Sequence, residues 1–217
     1  MNIVVKQTYN QLIQIKSIKR NIDEKKMLFL ALSCATIVLA QTTPQIINVE
    51  GRKTTSLDGI WKTIVDPFEN GYYDYRRLPL KKGGYGEDND YVDKTKLQEY
   101  NFTTDKTLSV PGDWNTQRDE LYYYEGTVWY RKRFQFQVKE NKRIFLYFGA
   151  VNYEAIVFVN GKEIGQHVGG FTPFNFEVTG LLKSGENSVV VKVDNKRKLD
   201  AVPTINSDWW NYGGITR

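Results

Sequence analysis

Residues 127–138 read TVWYRKRFQFQV, and apolar and polar side chains alternate along this stretch. Taking every second position gives one largely apolar face and one rich in arginine and glutamine. The first face includes Val128, Tyr130, Phe134, Phe136 and Val138, and the second includes Trp129, Arg131, Arg133, Gln135 and Gln137. A period of two residues is typical of a β-strand with one face in a hydrophobic core. We therefore predict a half-buried strand here.

Further strand signals follow along the chain. Residues 143–148 (RIFLYF) are apolar on both faces, which predicts a central strand covered on both sides. Residues 155–159 lead through Asn160-Gly161 into residues 162–164, and Asn-Gly between two β-runs is the strongest short hairpin signal. Alternation returns in Phe174, Phe176 and Val178, and again in Val189, Val191 and Val193. Short strands at this spacing predict an all-β jelly-roll sandwich.

Residues 66–107 lack this regularity and are rich in glycine, tyrosine and charge. We interpret them as a long insertion between the first strand and the segment at Val110-Pro111. Long loops are often functional, but a solvated connection is the favoured interpretation here. The sequence predicts no long amphipathic helix after residue 41. The β-sandwich domain is expected to span residues 56–217.

The composition excludes several classes of function. With His167 as the one histidine and Cys34 as the one cysteine, most transition-metal sites, a disulfide and Ser-His or Cys-His catalysis are ruled out. His167 is expected to be a structural hydrogen-bonding residue. Of the net charge of +5, residues 1–26 carry most, so no basic face for nucleic acid is indicated. We expect no metal, no cofactor and no nucleic acid.

The start of the chain resembles an export signal. Residues 27–40 form an uncharged run of 14 behind Lys25-Lys26, too short for a comfortable membrane span of about 20 residues. We predict cleavage after Ala40, a leader at 41–55, and a secreted or periplasmic protein with no membrane contact after cleavage. Residues 1–26 are an N-terminal extension or reflect a mis-assigned start codon. Lipidation at Cys34 and a buried helix are the alternatives.

Eight short motifs occur in a fixed order from Leu57 to the end of the chain. They are LDGIW (57–61), VPGDWN (110–115), GTVWYRKRF (126–134), FGAV (148–151), VNG (159–161), GGFTPF (169–174), GEN (185–187) and NYGGITR (211–217). Together they resemble the N-terminal sugar-binding domain of glycoside hydrolase family 2, a jelly roll of the galactose-binding-domain type. The Asp-Trp-Trp-Asn-Tyr sequence at 208–212 is most similar to β-glucuronidases, with β-galactosidases second.

The resemblance implies a retaining enzyme whose two catalytic glutamates lie about 5–5.5 Å apart on a separate (β/α)8 barrel. In the family the acid/base glutamate follows an asparagine, and the dipeptide Asn-Glu does not occur here. A barrel also needs about 250 residues. We therefore expect a fragment without catalytic residues, inactive alone, whose partners are a glycoside substrate and C-terminal immunoglobulin-like and barrel domains. A free-standing carbohydrate-binding module is the alternative, followed by a purely structural domain.

The resemblance also implies a substrate-binding loop. In the family an aspartate before the Asn-Tyr-Gly-Gly strand reaches the mouth of the barrel and touches the sugar, and Asp208 matches it. Trp209, Trp210 and Asn211 complete the predicted set. A carboxylate accepts two hydroxyl hydrogen bonds, and an indole stacks on the C–H face of a sugar. Alternatively, Asp208 only forms a turn and the tryptophans pack in the core or between domains.

Overall fold

A computed structural model describes most of the chain beyond residue 44. The described residues are 45–82, 84–88, 100–103, 106–139 and 141–217. The predicted extension (1–26) and signal segment (27–40) lie outside them, as does the beginning of the predicted leader (41–55). Within the described ranges, no helix has the length and apolar character needed to cross a membrane.

Strands dominate the described part of the chain. They are β1 (Gly59–Val65), β2 (Thr107–Val110), β3 (Gly112–Asp113), β4 (Thr127–Phe136), β5 (Phe145–Phe148), β6 (Val151–Asn152), β7 (Glu154–Val159), β8 (Lys162–Val168), β9 (Phe174–Glu177), β10 (Gly185–Asp194) and β11 (Gly214–Ile215). A single α-helical turn, α1 (Trp114–Gln117), follows β3, and short 3-10 helices occupy Tyr85–Glu87 and Asp119–Leu121. The prediction of an all-β fold is confirmed.

The strands form a sandwich of antiparallel sheets. The large sheet has the order β2-β1-β4-β10-β7-β8, β5 pairs with β9, and β11 lies between β3 and β6. At the centre of the large sheet, β4 and β10 pair from Thr127 opposite Asp194 to Phe136 opposite Gly185. The predicted hairpin joins β7 to β8, and Asn160 and Gly161 both have positive φ, at 49° and 80°. Two positive φ values are the requirement of a tight type I′ turn.

The main core lies between the large sheet and the smaller ones. Tyr130, Val157 and Val191 project from the large sheet and are fully buried. Phe148 and Phe174 face them from β5 and β9, and their rings stack with centroids 4.9 Å apart. The alternating positions of β4 and β10 thus form the predicted apolar face, which burial against a second layer stabilises.

The insertion covers the opposite face of the large sheet, where a second core forms. Trp129 is fully buried there, beside Phe158 and the ring of Tyr85 at 5.6 Å. The Trp129 indole N–H donates to Asp66 Oδ2 at 3.0 Å. The prediction of a half-buried strand is therefore wrong for the first half of β4, which is buried on both faces. The view of the insertion as a solvated connection is wrong for Tyr72, Tyr85 and Phe102, which pack on the sheet, whereas residues 75–79 and 81–82 are exposed to solvent.

The central position predicted for residues 143–148 is also wrong. Only 145–148 form a strand, β5, and its neighbour within the described residues is β9 alone. Phe148 faces the core, whereas Tyr147 is exposed. The Arg143 guanidinium lies 5.0 Å from the centroid of the Phe145 ring and pairs with Glu177, so this side of the strand faces solvent. An unbroken apolar run therefore does not require two covered faces.

Candidate functional site

The predicted substrate-binding residues lie on a loop, residues 206–212, that leads into β11. Asp208 is exposed at the surface of this loop. The side chains of Trp209 and Trp210 are 61% and 48% exposed, which is unusual for large apolar side chains. These three residues therefore present an acceptor carboxylate and two indoles to solvent, the combination that sugar recognition requires.

Asn211 differs from its three neighbours because it is buried, with 4% of its surface exposed. Its Oδ1 accepts a hydrogen bond from Asn152 Nδ2 at 2.8 Å. Its Nδ2 donates to the carbonyl of Asn195, and its own carbonyl accepts from Asn195 Nδ2. The amide of Asn211 thus ties the loop to the ends of β6 and β10. Unlike Asp208, Trp209 and Trp210, Asn211 is not exposed to a ligand, and its hydrogen bonds position the loop.

An ion pair secures the beginning of the same loop. Arg197 Nη1 donates to the carbonyl of Ser207 at 3.2 Å. Its Nη2 lies 2.9 Å from Glu125 Oε1, and its Nε donates to Glu125 Oε2 at 3.1 Å. Two parallel contacts between a guanidinium and a carboxylate fix orientation as well as distance. The loop is therefore linked to the segment that precedes β4.

Asn115 organises that neighbouring segment, residues 121–125. Its Nδ2 donates to the carbonyls of Leu121, Tyr122 and Tyr124 at 2.9, 3.2 and 3.1 Å. Its Oδ1 accepts from the backbone N–H of Gly213 at 2.9 Å. One buried amide therefore joins the two loops. The motif VPGDWN (110–115) contains this asparagine, but the motif does not reveal that its side chain bridges the two loops.

Gly213 brings the loops together by a close approach. A Cβ at this position would lie 2.0 Å from Cζ2 of Trp114, a distance that no side chain tolerates. The backbone N–H of Trp114 donates to the carbonyl of Gly213 at 2.9 Å. Because the indole of Trp114 occupies the space that a side chain would need, only glycine fits at position 213.

The two loops together form an exposed aromatic surface, defined by Tyr122, Tyr123 and Trp210. The ring centroids of Tyr123 and Trp210 are 5.1 Å apart, and those of Tyr122 and Tyr123 are 4.8 Å apart. Tyr123 is 70% exposed. Neither tyrosine was among the residues predicted from the sequence. The run of three tyrosines at 122–124 was a possible signal, but nothing in it indicates that Tyr123 contacts a residue of the 206–212 loop.

Other polar groups serve packing. The His167 ring stacks on Phe174 with centroids 4.1 Å apart, and its Nε2 lies 3.3 Å from Thr172 Oγ1. Burial lowers the pKa of His167, so the neutral ring is favoured. Among the described residues, no group of three or more histidine, cysteine, aspartate or glutamate side chains is arranged to hold a metal ion.

Comparison with known proteins places this arrangement in a family. Residues 55–217 match the profile described as glycosyl hydrolases family 2, sugar binding domain. The β-glucuronidase of Bacteroides fragilis is 40% identical over 117 residues, which cover 52% of this chain and 17% of that protein. A β-glucuronidase of Formosa agariphila is 36% identical over 137 residues, covering 54% of this chain and 14% of that protein.

The solved structures to which this chain is similar include β-glucuronidases as well. The β-glucuronidase of an uncultured Clostridium sp. is 31% identical with a TM-score of 0.57, covering 79% of this chain and 29% of that one. A Ruminococcus gnavus β-glucuronidase is 28% identical with a TM-score of 0.59, covering 79% and 28%. The chain spans less than a third of the length of these relatives. Because the family profile matches well over half of it, the chain belongs to glycosyl hydrolase family 2, and residues 55–217 are its sugar-binding domain.

Proposed function

We propose that this domain completes the substrate pocket of a secreted, retaining β-glucuronidase. In that enzyme, two glutamates of a separate barrel cleave the glycosidic bond, and the sandwich supplies one wall of the pocket. Asp208 accepts hydrogen bonds from hydroxyl groups of the sugar, and Trp209 packs on its C–H face. The relatives named as β-glucuronidases support the choice of a glucuronide as substrate.

One observation carries this proposal: the exposed Asp208 lies on a loop that buried groups hold in place. Asn211 and Asn195 exchange hydrogen bonds beneath it, and Arg197 holds its first residues. A carboxylate whose loop is already ordered loses little conformational freedom when it binds a sugar. A mere turn would not need this support from three neighbouring segments.

Replacing Asp208 with alanine in the longer enzyme that carries this domain should lower kcat/KM for a β-glucuronide about 100-fold. That factor corresponds to the loss of two charge-assisted hydrogen bonds to the substrate. Because Asp208 is exposed, the unfolding temperature should stay unchanged. Steady-state kinetics and thermal denaturation measure the two effects.

Asp200→Ala is the matched control, since Asp200 is an exposed aspartate on the same connection between β10 and β11. It should leave kcat/KM at the wild-type value. Equal activity of Asp208→Ala and wild type would overturn the proposed contact. The alternative of a free-standing carbohydrate-binding module predicts that the chain of 217 residues binds glucuronate by itself, which calorimetric titration detects. The exposed aromatic surface favours this second candidate.

We also propose that the protein is exported. The support is the uncharged run at 27–40 behind two lysines, which has the length of a signal segment and not of a membrane span. N-terminal sequencing of protein recovered from the periplasm or medium should find Gln41 as the first residue. Recovery of the unprocessed chain in the cytoplasm alone would refute export.

A further inference from the structure

Exposed aromatic side chains are concentrated in the two loops of the candidate site, residues 121–125 and 206–212. Nine aromatic side chains are exposed within the described ranges, and five of them lie in these two loops. The five are Tyr122, Tyr123, Trp209, Trp210 and Tyr212. Because large aromatic side chains are usually buried, a cluster of them at the surface indicates a binding surface. The proposed contact with glucuronate uses only one of the five, Trp209.

Tyr122 and Tyr123 differ from the tyrosine that follows them. The hydroxyl of Tyr124 donates to the carbonyl of Thr127 at 2.9 Å, and its ring lies 6.2 Å from that of Trp114, so its role is structural. The contacts of Tyr122 and Tyr123 are between their two rings and, for Tyr123, with Trp210. In the described part of the chain their hydroxyl groups form no hydrogen bond. Both residues therefore offer a ring and a hydroxyl group to a ligand.

The exposed aromatic surface lies beside the proposed sugar contact. Trp210 follows Asp208 by two residues, and two residues of chain span at most about 7 Å. The Trp210 ring in turn lies 5.1 Å from that of Tyr123. Because the buried amides of Asn115 and Asn211 hold the two loops, this spacing exists before a ligand binds. A second sugar unit linked to a glucuronate at Asp208 is therefore within reach of Tyr123.

The charge of the two loops favours an uncharged group on this surface. Residues 121–125 and 206–212 contain no lysine or arginine, and their only ionisable carboxyl groups are those of Glu125 and Asp208. Glu125 pairs with Arg197, the cation that holds the loop. A second uronic acid would meet the carboxylate of Asp208 without a cation of these loops to offset the repulsion. The surface is therefore suited to a neutral unit.

The orientation of the rings favours a sugar over a flat aromatic group. The Tyr122 and Tyr123 rings are inclined at 86° to each other, and the Tyr123 and Trp210 rings at 60°. Faces that point in different directions cannot all stack on one planar group, whereas a sugar ring carries C–H and hydroxyl groups on several sides. C–H groups pack on the negative face of an aromatic ring, and tyrosine hydroxyls both donate and accept hydrogen bonds. A neutral sugar therefore matches all three side chains.

We propose that the exposed aromatic surface is a subsite for an uncharged sugar unit to which the terminal glucuronate of the substrate is linked. The substrate is then an oligosaccharide that ends in glucuronate, rather than the glucuronide of a small molecule. Tyr123 and Trp210 pack on C–H groups of the second unit, and the hydroxyls of Tyr122 and Tyr123 exchange hydrogen bonds with it. The inference rests on the proposed function for the position of the glucuronate at Asp208.

Steady-state kinetics of the longer enzyme that carries this domain test the subsite with three substrates. They are cellobiouronic acid, in which glucuronate is β-linked to glucose, methyl β-glucuronide and phenyl β-glucuronide. Tyr123→Ala should lower kcat/KM for cellobiouronic acid about tenfold, the size expected for the loss of one aromatic contact. It should leave kcat/KM for methyl β-glucuronide at the wild-type value and affect phenyl β-glucuronide less than cellobiouronic acid. A larger loss on phenyl β-glucuronide would overturn the assignment to a sugar.

Matched variants separate the subsite from packing between domains. Tyr123→Phe keeps the ring and should lose less activity on cellobiouronic acid than Tyr123→Ala. Tyr75→Ala removes an exposed tyrosine outside the two loops and should leave kcat/KM for all three substrates unchanged. Because Tyr123 is 70% exposed, Tyr123→Ala should keep the wild-type unfolding temperature. An equal loss of kcat/KM on all three substrates, or a lower unfolding temperature, would mean that the surface packs against another domain and would overturn the subsite.

Failure of this inference is distinguishable from failure of the proposed function. Asp208→Ala should lower kcat/KM for all three substrates, whereas Tyr123→Ala should act mainly on cellobiouronic acid. If Asp208→Ala loses activity but Tyr123→Ala hydrolyses cellobiouronic acid like wild type, the subsite is wrong and the proposed function stands. If Asp208→Ala is fully active but Tyr123→Ala is selectively impaired, the proposed sugar contact is wrong and the subsite is supported. A disaccharide of two glucuronates should be a poorer substrate than cellobiouronic acid, and the reverse order would contradict a neutral second unit.

Discussion

Replacing Glu69 with alanine should lower the free energy of unfolding by about 3–5 kcal/mol, the range typical of removing one partner from a buried ion pair. The partner of Glu69 is Lys192, whose ammonium lies 2.8 Å from Glu69 Oε1, and both side chains are almost inaccessible to solvent. In the variant, the ammonium keeps the cost of burial without the attraction that offsets it. Urea denaturation at neutral pH, followed by circular dichroism, measures the loss.

Two further variants identify the cause. Arg77→Ala removes the more exposed of the two surface cations that pair with Glu69, the other being Lys196, and should cost much less, because exposed ion pairs contribute little. Exchanging both buried residues, as Glu69→Leu with Lys192→Met, should cost less than Glu69→Ala alone because no uncompensated charge remains. An effect of Glu69→Ala no larger than that of Arg77→Ala would contradict the buried pair as a source of stability.

The pH dependence of stability, compared between wild type and Glu69→Gln, provides an independent signature. Burial by itself raises the pKa of Glu69, but hydrogen bonding and charge attraction from Lys192, aided by Arg77 and Lys196, lower it to about 2. A carboxyl group whose pKa is lower in the folded state stabilises the fold above its unfolded pKa of about 4.3. The advantage of wild type over Glu69→Gln should therefore be constant at neutral pH and shrink as pH falls from about 4.3 to 2.

The alternating pattern in residues 127–138 predicted correctly which side chains share a face within β4, but the strand ends at Phe136 and Val138 is exposed. The pattern also did not predict what covers each face. Periodicity reports backbone geometry, and burial of the second face depends on a remote segment. Trp129 and Arg131 are the residues that could have revealed it. A tryptophan in the middle of a polar face needs a partner for its ring, and here Asp66 and Phe158 provide one. The irregular insertion gives no periodic signal of its own.

In the candidate site, too, the sequence predicted some of the features and not others. Asp208 and its two tryptophans were found through the resemblance of a short motif, and their exposure agrees with a binding surface. Asn211 belongs to the same motif but is buried. Proximity in sequence does not determine which side chains face solvent. The contact between Tyr123 and Trp210 joins residues far apart in the chain, so no local pattern predicts it. The sequence shows that both loops exist, but the contact between them depends on the tertiary structure.

The contact between the 121–125 segment and the 206–212 loop depends on Asn115. Asn115→Asp should therefore lower the free energy of unfolding of the domain by about 3 kcal/mol or more at neutral pH. The amide N–H groups of Asn115 point at three backbone carbonyls within 3.2 Å. A carboxylate has no proton to donate to them, and its charge is buried against their negative ends. We expect the exposed aromatic surface to lose its arrangement as well, which a change in tryptophan emission reports.

The pH response of Asn115→Asp distinguishes this explanation from simple loss of packing, since the two side chains have nearly the same shape. The new carboxyl faces acceptors, so the folded state favours its protonated form and raises its pKa above the unfolded value of about 3.9. The deficit relative to wild type should be largest above that raised pKa and should shrink as pH falls toward 4. Asn206→Asp, at an exposed position of the neighbouring loop, should show neither the deficit nor its pH dependence. If the loss of unfolding free energy in Asn115→Asp did not change with pH, the explanation that the amide holds the two loops by donating to the carbonyls would be wrong.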